Sequence, residues 1–382
     1  MKIGFDAKRA FHNYTGLGNY SRTLISSLAS LYPENQYLVF NPKKTSYKPF
    51  HFKSVEEINP QNIIEQIIPF LWRDFSMPKD FPKDLDIFHG LSNELPLRIH
   101  HAKIKKIVTV HDILYLHFPN DFTSFDRRRY EKKMLYALQY ADKIIATSLK
   151  TKKDLIEYYQ IPENKIDVVY QSCNSIFQAK IDSSQQDFFE KKLLLPKRYF
   201  LSVGSIIERK NLANTILAFK KLKTQKKSQD IKLIIIGNGN QYKSQIKTLI
   251  SKQQLENEII WLNETIDSQL IEKGLPYIYS NAAALLYPSF YEGFGIPVLE
   301  AMACNCPVIT SYNTSMAEIC ENYALFVNPH DENDIAKQMQ RAIEDTNFIE
   351  TMTIQANKRT ALFSKENIAK QIFELYQSLL TP

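Results

Sequence analysis

Two glutamates in the C-terminal half of the chain, Glu292 and Glu300, could bind the hydroxyl groups of a ligand. They flank the start of a helix-like run in the stretch "SFYEGFGIPVLEAMACNCPV". Glu300 lies one turn into that run, where a carboxylate can accept hydrogen bonds from two vicinal hydroxyls, as on a ribose. Glu292 precedes the run and can hold hydroxyls of a group further along the same ligand. The alternative is a plain strand–loop–helix connection with two exposed glutamates, which the composition of the loop disfavours.

The loop between these glutamates is rich in glycine for a chain that has 10 glycines in 382 residues. Gly293 and Gly295 let the backbone turn sharply and approach a ligand closely. Pro297 suits the first turn of the helix that follows. The N–H groups of Phe294, Gly295 and Ile296 would then point at a phosphate. The stretch is therefore interpreted as a site for a phosphate-bearing ligand that also carries hydroxyls.

A second candidate anion site follows the strand-like run "YFLSVG", which Gly204 ends. Arg209 and Lys210 come shortly after it, and Asn211 is a possible cap for the helix that begins there. Two cations beside a helix N-terminus make a good anion site. A solvated basic turn is the other interpretation, and position alone rates the two equally.

The N-terminal part of the chain offers two glycines and two histidines near the ends of strand-like runs. Gly16 and Gly18 in "YTGLGNY" open a helix-like run and could lie against phosphate oxygens, although Ser21 stands where a dinucleotide fingerprint has its third glycine. His111 follows the apolar run "KIVTV" and suits hydrogen bonding or proton transfer. His89 also ends a strand-like run, and a structural role is the better interpretation for it.

Strand-like and helix-like runs alternate along the chain, which predicts parallel sheets with helices on both faces. The predicted strands are Lys2 to Phe5, "YLVF", "LDIFHG", "KIVTVHD", "DKIIATS" and "KIDVVYQ" in the first half, and "YFLSVG", "IKLIIIG", "EIIWLN", "AALLYP" and "PVITS" in the second. A polar stretch separates the halves. We therefore predict an N-terminal domain at 1–172, a linker at 173–196, a C-terminal domain at 197–364 and a final helix at 365–382 that could pack back on the first domain. Ligands bind beyond the carboxyl ends of such strands, where the candidate residues stand.

Composition and charge limit the class of protein. The 382 residues, 44% hydrophobic and 23% charged, favour a globular chain of two domains. No apolar run long enough for a membrane helix and no export signal is visible, so we predict a cytoplasmic protein. The four cysteines match no zinc or thioredoxin spacing and are expected to be free thiols. The net charge of +7 permits a phosphate-bearing substrate or an anionic membrane face, and its spread along the chain predicts no nucleic-acid partner.

Taken in order, these segments resemble the retaining glycosyltransferases of family 4, also called group 1, over nearly the whole chain. The segments that carry the resemblance are "TGLGNYSRTLISSL", "FHGLSNELPL", "TVHDILYLHFP", "ADKIIATSLKTKKDLIEYY", "IPENKIDVVYQSCN", "FLSVGSIIERKNL" and "NTSMAEICENYALFVNPHDENDIA". The most specific motif is "PSFYEGFGIPVLEAMACNCPVI", with Glu292 and Glu300 at its characteristic spacing. The resemblance implies the GT-B fold, in which two Rossmann-like domains face each other across a cleft and the donor binds mainly to the C-terminal one. Bacterial mannosyltransferase-like members look closest.

The resemblance also implies roles for single residues. Glu292 would contact the donor sugar, Glu300 the ribose and Lys210 the diphosphate, while His111 would lie near the transferred sugar. Many members have an arginine directly after the glycine of the "VG" strand end, where this chain has Ser205. Arg209 is then a candidate for the second cation. The predicted donor-binding residues are Gly16, Gly18, Gly204, Ser205, Arg209, Lys210, Glu292, Gly293, Phe294, Gly295, Ile296 and Glu300, and the predicted catalytic residues are His111, Glu292 and Lys210.

We therefore predict a retaining glycosyltransferase that needs no cofactor and no divalent metal. It would move a hexose from GDP-mannose or a UDP-sugar to a glycan or lipid-linked acceptor in cell-surface polysaccharide synthesis. Asp84 and Asp86 resemble a metal-binding pair but precede a strand, which is the wrong end of a sheet for a ligand.

A sugar-nucleotide epimerase of the same architecture is the enzymatic alternative, since it would need no acceptor. A solute-binding protein is disfavoured because no export signal is visible, and a nicotinamide dehydrogenase by the incomplete glycine fingerprint. One basic run of the first domain could face an anionic membrane, although an ordinary exposed helix fits it equally well. That run comprises Arg127, Arg128, Arg129, Lys132 and Lys133.

Overall fold

The computed structural model describes residues 1–312 and 314–381, so Asn313 and Pro382, which the predicted domains include, lie outside the described residues. The chain divides into two compact units. The N-terminal unit comprises Met1–Ser172 and the chain from Phe363 onward, and the C-terminal unit comprises Cys173–Leu362. No helix in the described residues is both long and apolar enough to cross a membrane.

Each unit is built on one parallel sheet. In the described residues the N-terminal sheet has seven strands in the order β3-β2-β1-β4-β5-β6-β7, and the C-terminal sheet has six in the order β10-β9-β8-β11-β12-β13. The strands are β1 Lys2–Asp6, β2 Gln36–Phe40, β3 Val55–Ile58, β4 Ile87–Gly90, β5 Lys105–Val110, β6 Lys143–Ala146, β7 Ile166–Val168, β8 Tyr199–Val203, β9 Lys232–Ile236, β10 Ile259–Trp261, β11 Ala284–Tyr287, β12 Val308–Ser311 and β13 Leu325–Val327. The prediction of doubly wound α/β architecture in both halves is confirmed.

Helices connect the strands and cover the sheets. The α-helices are α1 Lys8–His12, α2 Gly16–Leu31, α3 Ile63–Ile67, α4 Pro69–Leu71, α5 Leu114–His117, α6 Ser124–Tyr140, α7 Leu149–Tyr159, α8 Ser183–Leu193, α9 Leu212–Lys223, α10 Gln241–Lys252, α11 Leu262–Thr265, α12 Ser268–Ser280, α13 Ile296–Ala303, α14 Ser315–Cys320, α15 Glu332–Glu344, α16 Thr346–Arg359 and α17 Lys365–Leu380. A π-helical turn spans Trp72–Ser76, and a 3-10 turn at Glu208–Lys210 precedes α9.

Local sequence explains where these elements form. Central strands such as β9, "KLIII", and β11, "ALLY", are apolar along almost their whole length because helices cover both faces of the sheet. Capping side chains start the helices: Thr123 Oγ1 accepts the N–H of Asp126 at α6, and Ser148 Oγ accepts the N–H of Thr151 at α7. These caps fix the ends of the helices, and buried apolar residues of each helix then pack onto the sheet.

The segment predicted to be a linker, residues 173–196, is not an irregular connection. It belongs to the C-terminal unit and contains α8. A capping box starts this helix, since Asp182 accepts the N–H of Gln185 and Gln185 accepts the N–H of Asp182. Gly274 of α12 lies under it, where an added Cβ would come within 3.2 Å of Phe189. The polar composition of α8 reflects its exposed face and hid its helical character.

The final helix, α17, packs in the N-terminal unit. Phe373 stacks on Tyr32 with ring centroids 3.7 Å apart. The buried Tyr376 hydroxyl lies 2.7 Å from His89 Nδ1, and His89 Nε2 lies 2.8 Å from Thr109 Oγ1. His89 therefore joins α17 to the middle of the sheet, which is a structural role.

Two strands were missed by the sequence analysis. β3 reads "VEEI" at the edge of its sheet, and its two glutamates hide the strand pattern. β13 has three residues, "LFV", too few for a periodic signal. Both strands lie at sheet edges, where pairing on one side suffices to hold a short or polar strand.

Candidate active site

The loop between β11 and α13 is held in a single shape. Gly295 has a φ of 115°, a region that favours glycine, and an added Cβ would lie 2.9 Å from Met316 Cγ. The buried Ser315 Oγ lies 2.7 Å from the carbonyl oxygens of both Glu292 and Phe294. The first turn of α13 follows at once, and in it the N–H of Val298 donates to the carbonyl of Gly295 at 3.0 Å. The loop therefore presents a fixed N-terminal turn, as an anion site requires.

Glu292 is buried between the two cations of the neighbouring turn. Its Oε1 lies 2.8 Å from Arg209 Nη1 and 2.6 Å from Lys210 Nζ, and the side chains of all three are at most 16% exposed. Burial alone would raise the pKa of Glu292, but Lys210 and Arg209 hold it below its usual value. Burial lowers the pKa of Lys210, although Glu292 opposes that shift. The trio carries one net positive charge, which suits an anionic ligand.

Lys210 lies against the ends of two adjacent strands. Its Nζ contacts the hydroxyl of Tyr287, the last residue of β11, and lies 4.4 Å from the centroid of that ring. Gly204, which follows β8, has a φ of 136°, and an added Cβ would lie 3.6 Å from Lys210 Cε. Ser205 is exposed, whereas Arg209 is buried and also donates to the carbonyl of Tyr291. The structure thus brings Gly204, Arg209 and Lys210 together beside Glu292.

Asn211 acts differently from the predicted helix cap. It precedes α9 with a φ of 60°, and its side chain makes no capping hydrogen bond. Its Nδ2 instead donates to the carbonyls of Pro288, at 3.0 Å, and Pro329, at 2.6 Å. The N–H of Phe290 donates to the carbonyl of Arg209 at 2.9 Å. These bonds join the basic turn to the glycine loop, so the two candidate segments form one cluster.

Glu300 lies on α13, partly buried, and accepts a hydrogen bond from the hydroxyl of Tyr279 at 3.0 Å. Burial raises the pKa of Glu300 to about 7, and the bond from Tyr279 only partly offsets this. A carboxylate that has lost part of its hydration is stabilised by two hydrogen-bond donors such as vicinal hydroxyls, since each supplies a charge-assisted hydrogen bond. Tyr279 on α12 was not identified from the sequence, because nothing in a helical tyrosine marks it as a partner of Glu300.

We expect nucleotide affinity to depend on Glu300 and on pH. Glu300→Ala should lose about 2–3 kcal/mol of binding free energy, the scale of hydrogen bonds to a charged group. Because the pKa of Glu300 is raised, the carboxylate that accepts the hydroxyls forms only as pH rises through about 7, so wild-type affinity should increase from pH 6 to pH 8. Isothermal titration with nucleoside diphosphate at both pH values measures this. Glu300→Gln should flatten the dependence, and unchanged affinity in both variants would contradict the assignment.

His111 follows β5 directly, and its ring is enclosed in the N-terminal unit. Its Nε2 lies 2.9 Å from the carbonyl oxygen of Leu91, and its Nδ1 lies 3.1 Å from Nε2 of Gln171. The ring of Tyr20 meets it edge-on at 4.8 Å. Nε2 therefore donates to the carbonyl, and Nδ1 accepts from the amide. Both ring nitrogens are therefore engaged within the N-terminal unit, and a catalytic role for His111 stays a prediction.

We expect His111 to stay neutral down to low pH. Burial lowers its pKa to about 4, below the unfolded value near 6.5. As pH falls, His111 therefore takes up a proton in the unfolded chain before it does so in the folded chain. The stability that the neutral, folded His111 contributes is present above about pH 6.5 and is lost as pH falls toward 4. Wild type should lose about 1.4 kcal/mol of unfolding free energy per pH unit in that window relative to His111→Gln. Denaturant unfolding of both proteins at pH 4.5, 5.5 and 6.5 measures it, and parallel curves would contradict it.

The N-terminal glycines lie in the first turn of α2, which begins at Gly16, rather than in a loop before it. The side-chain oxygen of Asn13 accepts the N–H groups of Thr15, at 2.9 Å, and Gly18, at 3.2 Å. An added Cβ at Gly18 would lie 1.7 Å from the carbonyl oxygen of Asn13, whereas one at Gly16 would meet no atom within 4 Å. Gly18 therefore serves packing, and its N–H donates to Asn13, while contact of Gly16 and Gly18 with a phosphate stays a prediction.

Comparison with known proteins agrees with this geometry. The model of the group 1 glycosyl transferases matches residues 183–359, and that of glycosyltransferase family 4 matches residues 14–174. The chain is 27% identical to the O-antigen chain mannosyltransferase B of Escherichia coli, over 99% of this chain and 100% of that protein. It is 30% identical to the O-antigen chain mannosyltransferase RfbU of Salmonella typhimurium, over 69% of this chain and 67% of that protein.

Solved structures share the fold at low sequence identity. Sucrose-phosphate synthase from Thermosynechococcus elongatus superposes with a TM-score of 0.77 at 20% identity, over 99% of each chain. Anabaena HepE in complex with UDP and glucose superposes with a TM-score of 0.75 at 18% identity, over 99% of this chain and 100% of that one. With its two sheets, its joined glycine loop and basic turn, and both halves matched, the chain belongs to glycosyltransferase family 4, has the GT-B fold and is a glycosyltransferase.

Proposed function

We propose that this chain is a retaining mannosyltransferase that transfers mannose from GDP-mannose to a glycan or lipid-linked acceptor in cell-surface polysaccharide synthesis. The observation that carries the proposal is the cluster of Arg209, Lys210 and Glu292 beside the first turn of α13. It supplies fixed positive charge for a diphosphate and a carboxylate for sugar hydroxyls. The choice of mannose is supported by the relatives, several of which are named mannosyltransferases.

In the proposed mechanism the cluster changes partners when the donor binds. The diphosphate competes with Glu292 for Arg209 and Lys210, and the freed carboxylate accepts hydroxyls of the sugar. As the glycosidic bond breaks, charge develops on the departing diphosphate, which Lys210, Arg209 and the N-terminal turn of α13 stabilise. The leaving phosphate takes the acceptor's proton on the same face of the sugar, so the anomeric configuration is retained.

Donor and stereochemistry are tested together. Thermal shift with GDP-mannose, UDP-glucose and ADP-glucose should give the largest stabilisation with GDP-mannose. Transfer to a lipid-linked oligosaccharide should give an α-linked product by NMR, as retention from an α-linked donor requires. A β-linked product would contradict retention, and preference for a UDP-sugar would contradict the choice of mannose. Conversion of the donor to another sugar nucleotide without acceptor would support an epimerase instead.

We also propose that fixed cations replace a divalent metal. The aspartates of "DLD" are engaged elsewhere: Asp84 pairs with Lys2 Nζ at 2.6 Å, and Asp86 accepts the N–H of Lys2 at 2.8 Å. In the described part of the chain, no three His, Cys, Asp or Glu side chains form a group that could hold a metal ion. Wild-type activity should therefore survive dialysis against EDTA. Activity lost to EDTA and restored by manganese would contradict this.

The N-terminal unit, we further propose, contacts an anionic membrane on its cytoplasmic face, where a lipid-linked acceptor would be found. On α6, Arg127, Arg128, Arg129 and Lys132 are exposed. Lys133 is not part of this surface, because it is buried and paired with Asp74 and Glu94 at 3.0 and 2.9 Å.

The apolar part of this surface is provided by α3 and α4. Ile63, Ile67 and Phe70 are 72%, 74% and 57% exposed, and no residue of either helix is buried. An apolar face beside cations is typical of helices that lie in a membrane interface. The Lys133–Asp74 pair joins α6 to the turn that follows α4.

Vesicle flotation tests this contact. Wild type should float with phosphatidylglycerol vesicles and not with pure phosphatidylcholine, and the double substitution Ile63→Ser, Ile67→Ser should abolish flotation. Ile354→Ser, at a position 45% exposed in the other unit, is the matched control and should float normally. Equal flotation of the double variant would contradict the contact.

A further inference from the structure

An exposed pair of aromatic rings stands at the ligand-binding edge of the N-terminal sheet. Tyr14 is 71% exposed and Tyr47 is 36% exposed, and their ring centroids are 5.8 Å apart at an interplanar angle of 56°. Tyr14 follows β1 and α1, and Tyr47 follows β2, which pairs with β1 in parallel. Both rings therefore lie beyond carboxyl ends of adjacent parallel strands, where open α/β sheets bind ligands.

The backbone that carries Tyr14 is fixed although its ring is exposed. Arg22 Nη1 donates to the carbonyls of Ala10, at 2.9 Å, and Asn13, at 2.7 Å. The side chain of Asn13 in turn accepts the N–H of Thr15, which precedes α2, and that of Gly18 in its first turn. The guanidinium carbon of Arg22 lies 5.9 Å from the centroid of the Tyr14 ring. A large ring held out on a rigid support loses little entropy on binding, so it is suited to contact a ligand.

The segment with Tyr47 is tied to the same support. His12 Nε2 lies 2.9 Å from Asn41 Oδ1 and 3.0 Å from the carbonyl oxygen of Lys43. These contacts join the end of α1 to the chain that leaves β2. The chain that leads to Tyr47 is thus anchored to α1 as far as Lys43.

The chemistry of the pair fits a sugar ring. A pyranose has an apolar face of C–H groups and a rim of hydroxyls, and a tyrosine offers a flat apolar face with a polar hydroxyl at its tip. Lys43 and Lys44 beside Tyr47 are exposed, and they add positive potential that suits a glycan carried on a phosphate. The proposed binding site of the donor is the cluster around Glu292 in the C-terminal unit.

We propose that Tyr14 and Tyr47 form a platform on which a hexopyranose unit of the acceptor glycan stacks. The inference rests on the proposed function, because it takes the acceptor to be a mannose-containing glycan. It adds the surface that recognises this acceptor.

Saturation-transfer NMR with mannotriose tests the platform without requiring turnover. Wild type should transfer saturation to the sugar protons, and Tyr14→Ser and Tyr47→Ser should each reduce the transfer at least fivefold. Tyr14→Phe should retain it, because the apolar face remains. Tyr158→Ser removes a tyrosine that is 51% exposed at the end of α7 and is the matched control, with transfer as in wild type.

Thermal shift with GDP-mannose, measured on the same proteins, separates this inference from the proposed function. Every variant should bind the donor as wild type does, which also shows that it is folded. If GDP-mannose does not raise the melting temperature of wild type, that result contradicts the proposed function alone. No saturation transfer in wild type, or equal transfer in wild type and the serine variants, would overturn the platform.

Discussion

Lys210→Ala should reduce kcat/KM by roughly 30- to 1000-fold, because losing one preorganised partner of developing charge costs about 2–4 kcal/mol of transition-state stabilisation. The ammonium of Lys210 lies 2.6 Å from the carboxylate oxygen of Glu292 and also contacts Tyr287 at the end of β11. Without it, Glu292 cancels the charge of Arg209, and the cluster becomes neutral. Steady-state transfer assays at saturating acceptor measure the loss.

The control for this experiment is Lys252→Ala. Lys252 is an exposed lysine at the end of α10 in the same unit, so its removal changes the net charge equally. That variant should be as active as wild type. A Lys210→Ala enzyme within threefold of wild type would show that Lys210 serves the fold rather than the departing diphosphate.

Glu292→Gln should separate binding from transfer. Transfer should fall at least 100-fold, since the sugar loses its carboxylate acceptor and about 3 kcal/mol of transition-state stabilisation with it. Affinity for free nucleoside diphosphate should hold or increase, because Arg209 and Lys210 lose their internal counterion. The ligand-free variant should also be less stable, since removing one partner of a buried pair costs about 3–5 kcal/mol.

Two measurements on the same variant check this. Isothermal titration gives the nucleotide affinity, and thermal unfolding with and without nucleotide gives the stability. The diphosphate should raise Tm more in Glu292→Gln than in wild type, because it supplies the missing negative charge. Equal losses of nucleotide affinity and of transfer would indicate that Glu292 only holds the loop together.

The sequence predicted the parts of the site that depend on residue type and order. A strand end, a glycine at positive φ and a following helix are local, so Gly204, Gly295 and α13 could be anticipated from spacing alone. The pairing of Glu292 with Arg209 and Lys210 could not, because it joins residues about 80 positions apart through the register of β8 and β11. Neither could the Tyr279–Glu300 bond, since it depends on how α12 packs beside α13.

Other features that the sequence could not show have the same physical origin. The helix within the predicted linker is exposed on most of its surface, so its composition resembles that of a loop. The sequence places His111 directly after a strand, but it could not show that residues 91 and 171 supply partners for both ring nitrogens. Position along the chain shows where a side chain begins, and tertiary packing decides what it contacts.

Because α17 packs in the N-terminal unit, that unit can be completed only when the end of the chain has been synthesised. The N-terminal unit needs Phe373 and Tyr376, and the Tyr376–His89 bond spans 287 positions. When the C-terminal unit has left the ribosome, the sheet that was made first still lacks a helix over Ile3, Leu28 and their neighbours. Synthesis at roughly 5–20 residues per second leaves that apolar surface open for seconds, a window in which chaperones bind nascent chains. A ribosome that stalls near residue 362 would therefore release a protein with a complete C-terminal unit and an N-terminal unit whose apolar surface stays open.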